Sequence, residues 1–321
     1  MARAWRIEYA GAFYHILSRG NNKQDAFLID EDRRSFLDTL GQMSERFDVD
    51  IFAYVLMGNH YHLLLRTNKA NLSKSMQWLG TTYTTRFNLR NSRNGHLFQG
   101  RYKSIVVEND SYLLQLSYYI YRNPLRAGIV RRLIDYRWSS YPAYAYNRRH
   151  PEWLNTALIL SQSSATDKHR CYREKVKEYS HEKRCIWQDV RHGLIYGTEA
   201  FIDQIKDAYL RDEPNPEIPE QRQLLSESEP AELLRAAAGI LQCDPEGFKQ
   251  VRRITGSQKT NRDLLIYLLW QTGMLTNSEI GERFGLTYSS ITRRVAVIRK
   301  RLEGEEEIRN RYKDVKSQIK V

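Results

Sequence analysis

Cysteine is scarce in this chain: Cys171, Cys185 and Cys243 are its only three among 321 residues. An odd, widely spaced set offers no disulfide framework and argues for a reducing compartment. Long apolar runs are missing too. The densest, residues 264–270, falls far short of the ~20 residues that cross a bilayer, and the opening Met1-Ala-Arg-Ala-Trp-Arg lacks the apolar run of a secretory signal. The expectation is a soluble cytoplasmic protein with no membrane partner. No Gly-rich phosphate cradle of the P-loop kind occurs, which speaks against an ATP-driven machine. Proline is sparse, and four of its eight residues (Pro214, Pro216, Pro219 and Pro230) fall in one acidic stretch. No internal repeat is visible, and low complexity is confined to that stretch and to the Glu-rich residues 303–307.

What the chain does have is length and positive charge. At 321 residues it is about twice the usual single-domain size. Lys and Arg number 50 against 38 Asp and Glu, a net charge of +12 with a pI near 9.5. Such a balance suits a protein that neutralises phosphates, although an ordinary solvated surface carries it equally well. The Pro-rich residues 211–230 read as an interdomain linker. They divide a first domain, residues 1–145, and a charged, mostly helical connecting region, 146–210, from a helical module at 231–321. From residue 251 onward there are 15 Lys and Arg against 8 Asp and Glu, so much of the excess charge lies at this end.

Within residues 12–144, short β-branched and aromatic runs alternate with stretches of helical period. Strands are expected at 13–18, 51–56, 61–66 and 105–107. The second and third are joined through Met57-Gly58-Asn59, a turn-prone connection. Helices are expected over Asp30–Phe47, with Phe36, Leu37, Leu40 and Met43 on one face, over 72–88, and over 111–122. Pro124 is expected to end the last of these.

Two short segments carry chemistry. In Gly58-Asn59-His60-Tyr61-His62-Leu63-Leu64-Leu65, residues two apart on a strand face the same way, ~6.6 Å apart, so both imidazoles can reach one ion. The same pair also fits two packed histidines with satisfied nitrogens. In Ser117-Tyr118-Tyr119-Ile120-Tyr121-Arg122-Asn123-Pro124, Tyr119 and Asn123 share a helical face, and the Asn oxygen can join two imidazoles around an ion. Tyrosines in such a cluster are otherwise core material. Mixed nitrogen and oxygen ligation leaves the metal open, zinc included. Arg86, Arg90, Arg93, Arg101, Lys103 and Arg126 lie among Tyr83, Phe87, Phe98 and Tyr102, a mixture able to track a backbone and stack unpaired bases, or to coat a packed core. His169, Cys171, His181 and Cys185 match no common zinc spacing. His15 and His96 read as structural.

Together the H-x-H after an apolar strand, the helix ending Y-x-Y-x-N-P and the sequel Leu125-Arg126-Ala127-Gly128-Ile129-Val130 resemble the single-tyrosine HUH transposases. Among these the REP-associated tyrosine transposases are the most similar. The likeness covers residues 12–144 and includes residues 15–22 and 95–103. It implies an α+β fold, a ferredoxin-like α/β sandwich, with His60 and His62 as metal ligands, Tyr119 as nucleophile and Asn123 where related enzymes place a polar third ligand, often glutamine. It further implies Mg2+ or Mn2+, a 5′-phosphotyrosine intermediate, and hairpin single-stranded DNA as substrate.

In the C-terminal module, residues 264–270 mark an apolar helix and Thr276 or Asn277 caps another. Gly285 falls where a helix-turn-helix needs positive φ. A helix beginning near Tyr288 would offer Tyr288, Ser289, Ser290, Thr292, Arg293 and Arg294 to a duplex groove. Residues 262–302 resemble the duplex-binding domain of the replication initiator DnaA in the run I-G-x-x-F-G-L-x-x-S-S-I. They depart from it at Tyr288-Ser289, so that domain's binding sequence does not carry over. A helical bundle packed on the first domain fits the same pattern. The whole reads as a metal-dependent single-stranded DNA endonuclease and strand transferase with hairpin and duplex DNA partners, as monomer or homodimer. The alternatives are a catalytically inactive DNA-binding regulator and a histidine-pair phosphoesterase.

Overall fold

Short runs of β-branched and aromatic residues, each too apolar on one or both faces to stand alone, pair into a single sheet. The computed structural model describes residues 6–109, 111–181, 186–191, 193–209, 229–250 and 254–319. Strands β1 (Ala12–Arg19), β2 (Val49–Leu56), β3 (His60–Thr67), β4 (Lys103–Val107) and β5 (Ile195–Tyr196) lie in the order β2-β3-β1-β4-β5. All neighbours are antiparallel except β4 and β5. The turn at residues 57–59 closes the β2–β3 hairpin, while helices α1 (Asp30–Phe47) and α2 (Leu72–Arg90) make the longer crossovers. This is the α+β, ferredoxin-like arrangement expected, with an additional short edge strand.

Alternation along the strands decides what each face meets. Tyr14, Ile16, Tyr61, Leu63 and Leu65 share one face, and there Phe36 of α1 packs 4.7 Å from Tyr61 and 5.0 Å from Tyr83 of α2, centroid to centroid. Phe13, His15, Leu17, His60, His62 and Leu64 share the other, covered by helix α3 (Ser111–Arg126) through Leu113, Leu116, Tyr119 and Ile120. Asp32, fully buried, fixes the start of α1. Its carboxylate accepts from the backbone N–H of Leu28 (3.0 Å) and Ile29 (3.2 Å), from Arg90 (2.9 Å) and from the amide of Asn91 (3.2 Å).

The expected end of α3 before Pro124 is corrected by the structure: the helix continues through Pro124 to Arg126. Pro124 cannot donate to the Ile120 carbonyl four residues back, the usual reason such a helix breaks. The Asn123 side chain takes that role instead, its Nδ2 donating to Ile120 O at 2.9 Å and, at 3.3 Å, to Tyr119 O. With the orphaned carbonyl satisfied, the helix resumes its ladder through the Ala127 N–H to Asn123 O.

After α3 the chain adds α4 (Tyr141–Tyr146), α5 (Ala157–Ser161) and α6 (Lys168–His181). The charged composition of α6 conceals one apolar stripe, Tyr172, Val176 and Tyr179, which is buried. Tyr172 packs 5.2 Å from Tyr118 and 5.0 Å from Tyr144. The described residues between 6 and 202 form the first compact unit, and those from 203 onward belong to the second. The boundary falls within α7 (Glu199–Tyr209). The stretch read as a linker lies for the most part outside the described residues.

The second unit is helical: α8 (Pro230–Ile240), α9 (Gly247–Gln250), α10 (Gly256–Thr272), α11 (Asn277–Phe284), α12 (Tyr288–Gly304) and α13 (Glu306–Gln318). Leu264, Leu268, Ile280, Phe284, Ile291 and Ile298 form its core. Thr276 caps α11 in a reciprocal box with Glu279, and Gly285 ends that helix at φ +64°, a left-handed geometry that favours glycine. Thr287 then caps α12 through the Ser290 N–H. Among the described residues no helix is long and apolar enough to cross a membrane.

Because Asp32 satisfies four donors at once in a dry site, Asp32→Ala is expected to lower the unfolding free energy by about 3 kcal/mol. Urea denaturation followed by circular dichroism measures this, and a change within error of zero would refute the account.

Candidate active site

The candidate site is built on β3, where strand period two brings His60 and His62 to the α3 side of the sheet. Their ring centroids are 5.3 Å apart and nearly perpendicular. His62 is buried and His60 half-buried. His60 Nδ1 lies 2.7 Å from Asn59 Oδ1, and the Asn59 amide is held in that orientation because its nitrogen donates to the Lys23 carbonyl at 3.0 Å. An amide oxygen only accepts, so His60 carries its proton on Nδ1 and keeps a lone pair on Nε2. His62 Nδ1 is also engaged, 2.9 Å from His15 Nε2.

His15 was expected to be structural. It is there because β1 and β3 pair in a register that opposes His62 to Leu17, leaving His15 on the diagonal, stacked at 5.1 Å with an interplanar angle of 19°. The same register sets Arg19 opposite His60 and, across β1 and β4, Lys103 opposite Leu17. One end of the histidine face is thereby rimmed by exposed cations. Close approach of the loop after β1 needs Gly20: a Cβ there would lie 2.0 Å from the Gln24 carbonyl oxygen, and its N–H binds Asn59 O at 2.7 Å.

Tyr119 descends onto this group from α3. Its ring centroid is 6.2 Å from those of both His15 and His62, edge-on in each case, and the side chain is 5% exposed. Trp187 donates its Nε1–H to the phenol oxygen at 2.6 Å and packs 5.7 Å from His15. No sequence signal marked Trp187, which is separated from Tyr119 by 68 positions and lies in a charged region. His15 and Asn59 sit inside segments already singled out, but their contacts depend on strand register, which the pattern of apolar residues leaves open.

Burial governs the titration of the three histidines. It pulls His15 down to about 3 and His62 well below the ordinary imidazole value, the neighbouring histidines adding to the effect at His62. His60 is lowered by burial and then by Arg19. All three are neutral near pH 7, the state in which imidazole is a ligand. Nδ1 is hydrogen-bonded on both His60 and His62, which leaves Nε2 of each ring as the atom that could meet a divalent ion, with 5.3 Å between rings. Asn123 commits its amide nitrogen to the Tyr119 and Ile120 carbonyls of α3. Among the described residues no group of three or more His, Cys, Asp or Glu is arranged to hold a metal. The donors brought together are the two imidazoles of His60 and His62.

The other sequence candidates are placed as follows. Arg86 donates to Thr39 (2.7 Å) and Gln42 (3.1 Å), and Arg90 pairs with Asp32, so both clamp α2 to α1 on the face opposite the histidines. Arg101 and Lys103 are exposed, as is Arg126 at the end of α3. In the second unit Tyr288 is 61% exposed, with Ser289, Thr292 and Arg293 also exposed and Ser290 half-buried. Thr292 accepts from Asn277 at 3.0 Å. Arg294 is half-buried and pairs with buried Asp263 at 3.0 Å, tying α12 to α10. His169 bonds the Tyr144 carbonyl at 2.7 Å. Cys185 and the side chain of His181 lie outside the described residues.

With this geometry in hand, residues 9–123 match the family described as transposase, IS200 like. The match ends at Asn123 and contains His15, Asn59, His60, His62 and Tyr119. A solved structure of a REP-associated tyrosine transposase bound to a REP hairpin is similar over 47% of this chain and 89% of that one, at 18% identity and a TM-score of 0.41. No curated protein matches the chain.

The unfolded chain takes up protons on its histidines near pH 6.5, whereas buried His15 refuses one until about pH 3. Acid therefore favours the unfolded chain across that window. The melting temperature of metal-free protein is expected to fall as pH drops from 6.5 toward 4, and His15→Gln to make the decline shallower. Equal slopes for the two proteins would sink this reading.

Proposed function

We propose that this chain is a DNA transposase that nicks and rejoins single-stranded DNA through Tyr119, with a helix-turn-helix that holds duplex DNA. The observation that carries it is the convergence of His60, His62 and Tyr119 on one face of the sheet. The match of residues 9–123 to IS200-like transposases supports the same class.

A phenol is a poor nucleophile near neutral pH, with an ordinary pKa of about 10. Tyr119 meets that difficulty in a buried pocket, next to neutral imidazoles, with the Trp187 N–H on its oxygen. Attack by the Tyr119 oxygen on phosphorus would form the phosphotyrosine ester and break the bond to the 3′ oxygen. The phenolic proton is lost, and the leaving oxygen takes one up as a free hydroxyl. The 5′-phosphate stays on the enzyme, and because one phosphodiester replaces another, rejoining needs no ATP. A divalent ion on His60 and His62, magnesium or manganese by the resemblance of residues 12–144, would supply Lewis-acid polarisation of the phosphate. Arg19 and Lys103 rim the same face and suit the flanking backbone phosphates, as do exposed Arg101 and Arg126. The hairpin form of the substrate rests on the same resemblance.

In the second unit, α11, the Gly285 turn and α12 support a helix-turn-helix reading. Tyr288, Ser289, Ser290, Thr292 and Arg293 line the start of α12, while Arg294 is engaged with Asp263 and helps set the angle of that helix.

Incubating the protein and its Tyr119→Phe variant with end-labelled hairpin DNA and magnesium or manganese should give, on a denaturing gel, a labelled covalent band only with tyrosine and metal. Hairpin binding without any band would instead favour a regulator, and metal-dependent hydrolysis that survives in Tyr119→Phe a phosphoesterase. For the second unit, Arg293→Ala is expected to weaken duplex binding at all sequences and reduce the salt slope by about one. Unchanged affinity and slope across a salt titration would remove Arg293 from the interface.

A further inference from the structure

His15 has no place in the mechanism above, yet it is a 1% exposed polar side chain in contact with the histidine pair. Its Nε2 is 2.9 Å from His62 Nδ1, and its own Nδ1 is buried without a hydrogen-bond partner. Between two neutral imidazoles one nitrogen must donate and the other accept. Were His15 the donor, the proton of His62 would sit on Nε2 and block the nitrogen left to face the site. With His62 as donor, its Nε2 lone pair is open and the remaining proton of His15 falls on the partnerless Nδ1. Leaving that buried N–H unsatisfied disfavours folding. The cost is intelligible if it secures the tautomer of His62. His60 shows the same arrangement, with Asn59 as the acceptor on its Nδ1.

We propose that His15 is a positioning residue for metal capture: it accepts the Nδ1–H of His62 and holds that ring with Nε2 turned toward the ion. This rests on the reading of His60 and His62 as ligands. Stacking of the two rings at 19° leaves His62 little freedom to rotate away, so the hydrogen bond and the packing act on the same coordinate. Outer partners of ligating histidines typically change metal affinity 10–100-fold when lost.

The test is calorimetric titration of Mn2+ into the full-length protein without DNA. His15→Phe keeps a planar ring but offers no acceptor, and His15→Gln restores one. The expected result is an affinity loss on the order of 10–100-fold for His15→Phe, with His15→Gln close to wild type. A folded His15→Phe protein that binds Mn2+ as tightly as wild type would overturn the proposal and leave the ligand assignment standing. So would equal losses in both variants. If the wild-type chain takes up no Mn2+, the ligand reading itself fails and takes this inference with it. A second measurement does not depend on the His15 variants folding: nitrogen NMR of the histidine side chains in metal-free wild type, with the His62 signals assigned through His62→Gln. A proton on His62 Nδ1 supports the proposal, and one on Nε2 refutes it.

Discussion

The antiparallel register between β1 and β3 is the constraint on which the candidate site depends. Sliding that pairing by one residue would send His15 or the His60 and His62 pair to the face occupied by α1 and α2. In the register observed, one stripe holds Phe13, His15, Leu17 and Arg19 beside Leu64, His62 and His60. The apolar end of the stripe lies beneath α3, and its polar end opens at the turn between β2 and β3. Burial then makes the imidazoles neutral, and the hydrogen bonds on their Nδ1 atoms determine which nitrogens remain open.

Helix α3 contributes the opposing half of the site by an uncommon device. The Asn123-Pro124 pair would ordinarily end a helix, but the Asn123 side chain supplies the donor that proline lacks. Continuity through this point keeps Tyr119 and Asn123 on a rigid element rather than on a frayed end.

Trp187 belongs to a part of the chain beyond the family match, in the first compact unit yet far from the paired histidines in sequence. It reaches the phenol because α6 buries Tyr172, Val176 and Tyr179 against the tyrosines of α3 and α4. A charged region thereby becomes part of the pocket wall. The histidine face and α12 rest on separate cores, each with its own buried apolar set.

Much of this was legible in the residues. The helix Asp30–Phe47, the four longer strands to within two residues at either end, and the capped helix before Gly285 followed from period, capping chemistry and the demand for positive φ. His60, His62 and Tyr119 were visible because strand and helix periodicity are local properties and fix which side chains share a face. Strand register, the bridging of Pro124 by Asn123, and the arrival of His15 and Trp187 were not. Nor was the commitment of Arg86, Arg90 and Arg294 to buried or half-buried partners. Each of those depends on which distant atoms remain unsatisfied once the cores have formed, and local pattern carries no information about that. Sequence alone determined the parts and their faces; tertiary structure decided which polar atom meets which, because burial leaves each donor and acceptor only the partners that packing brings within reach.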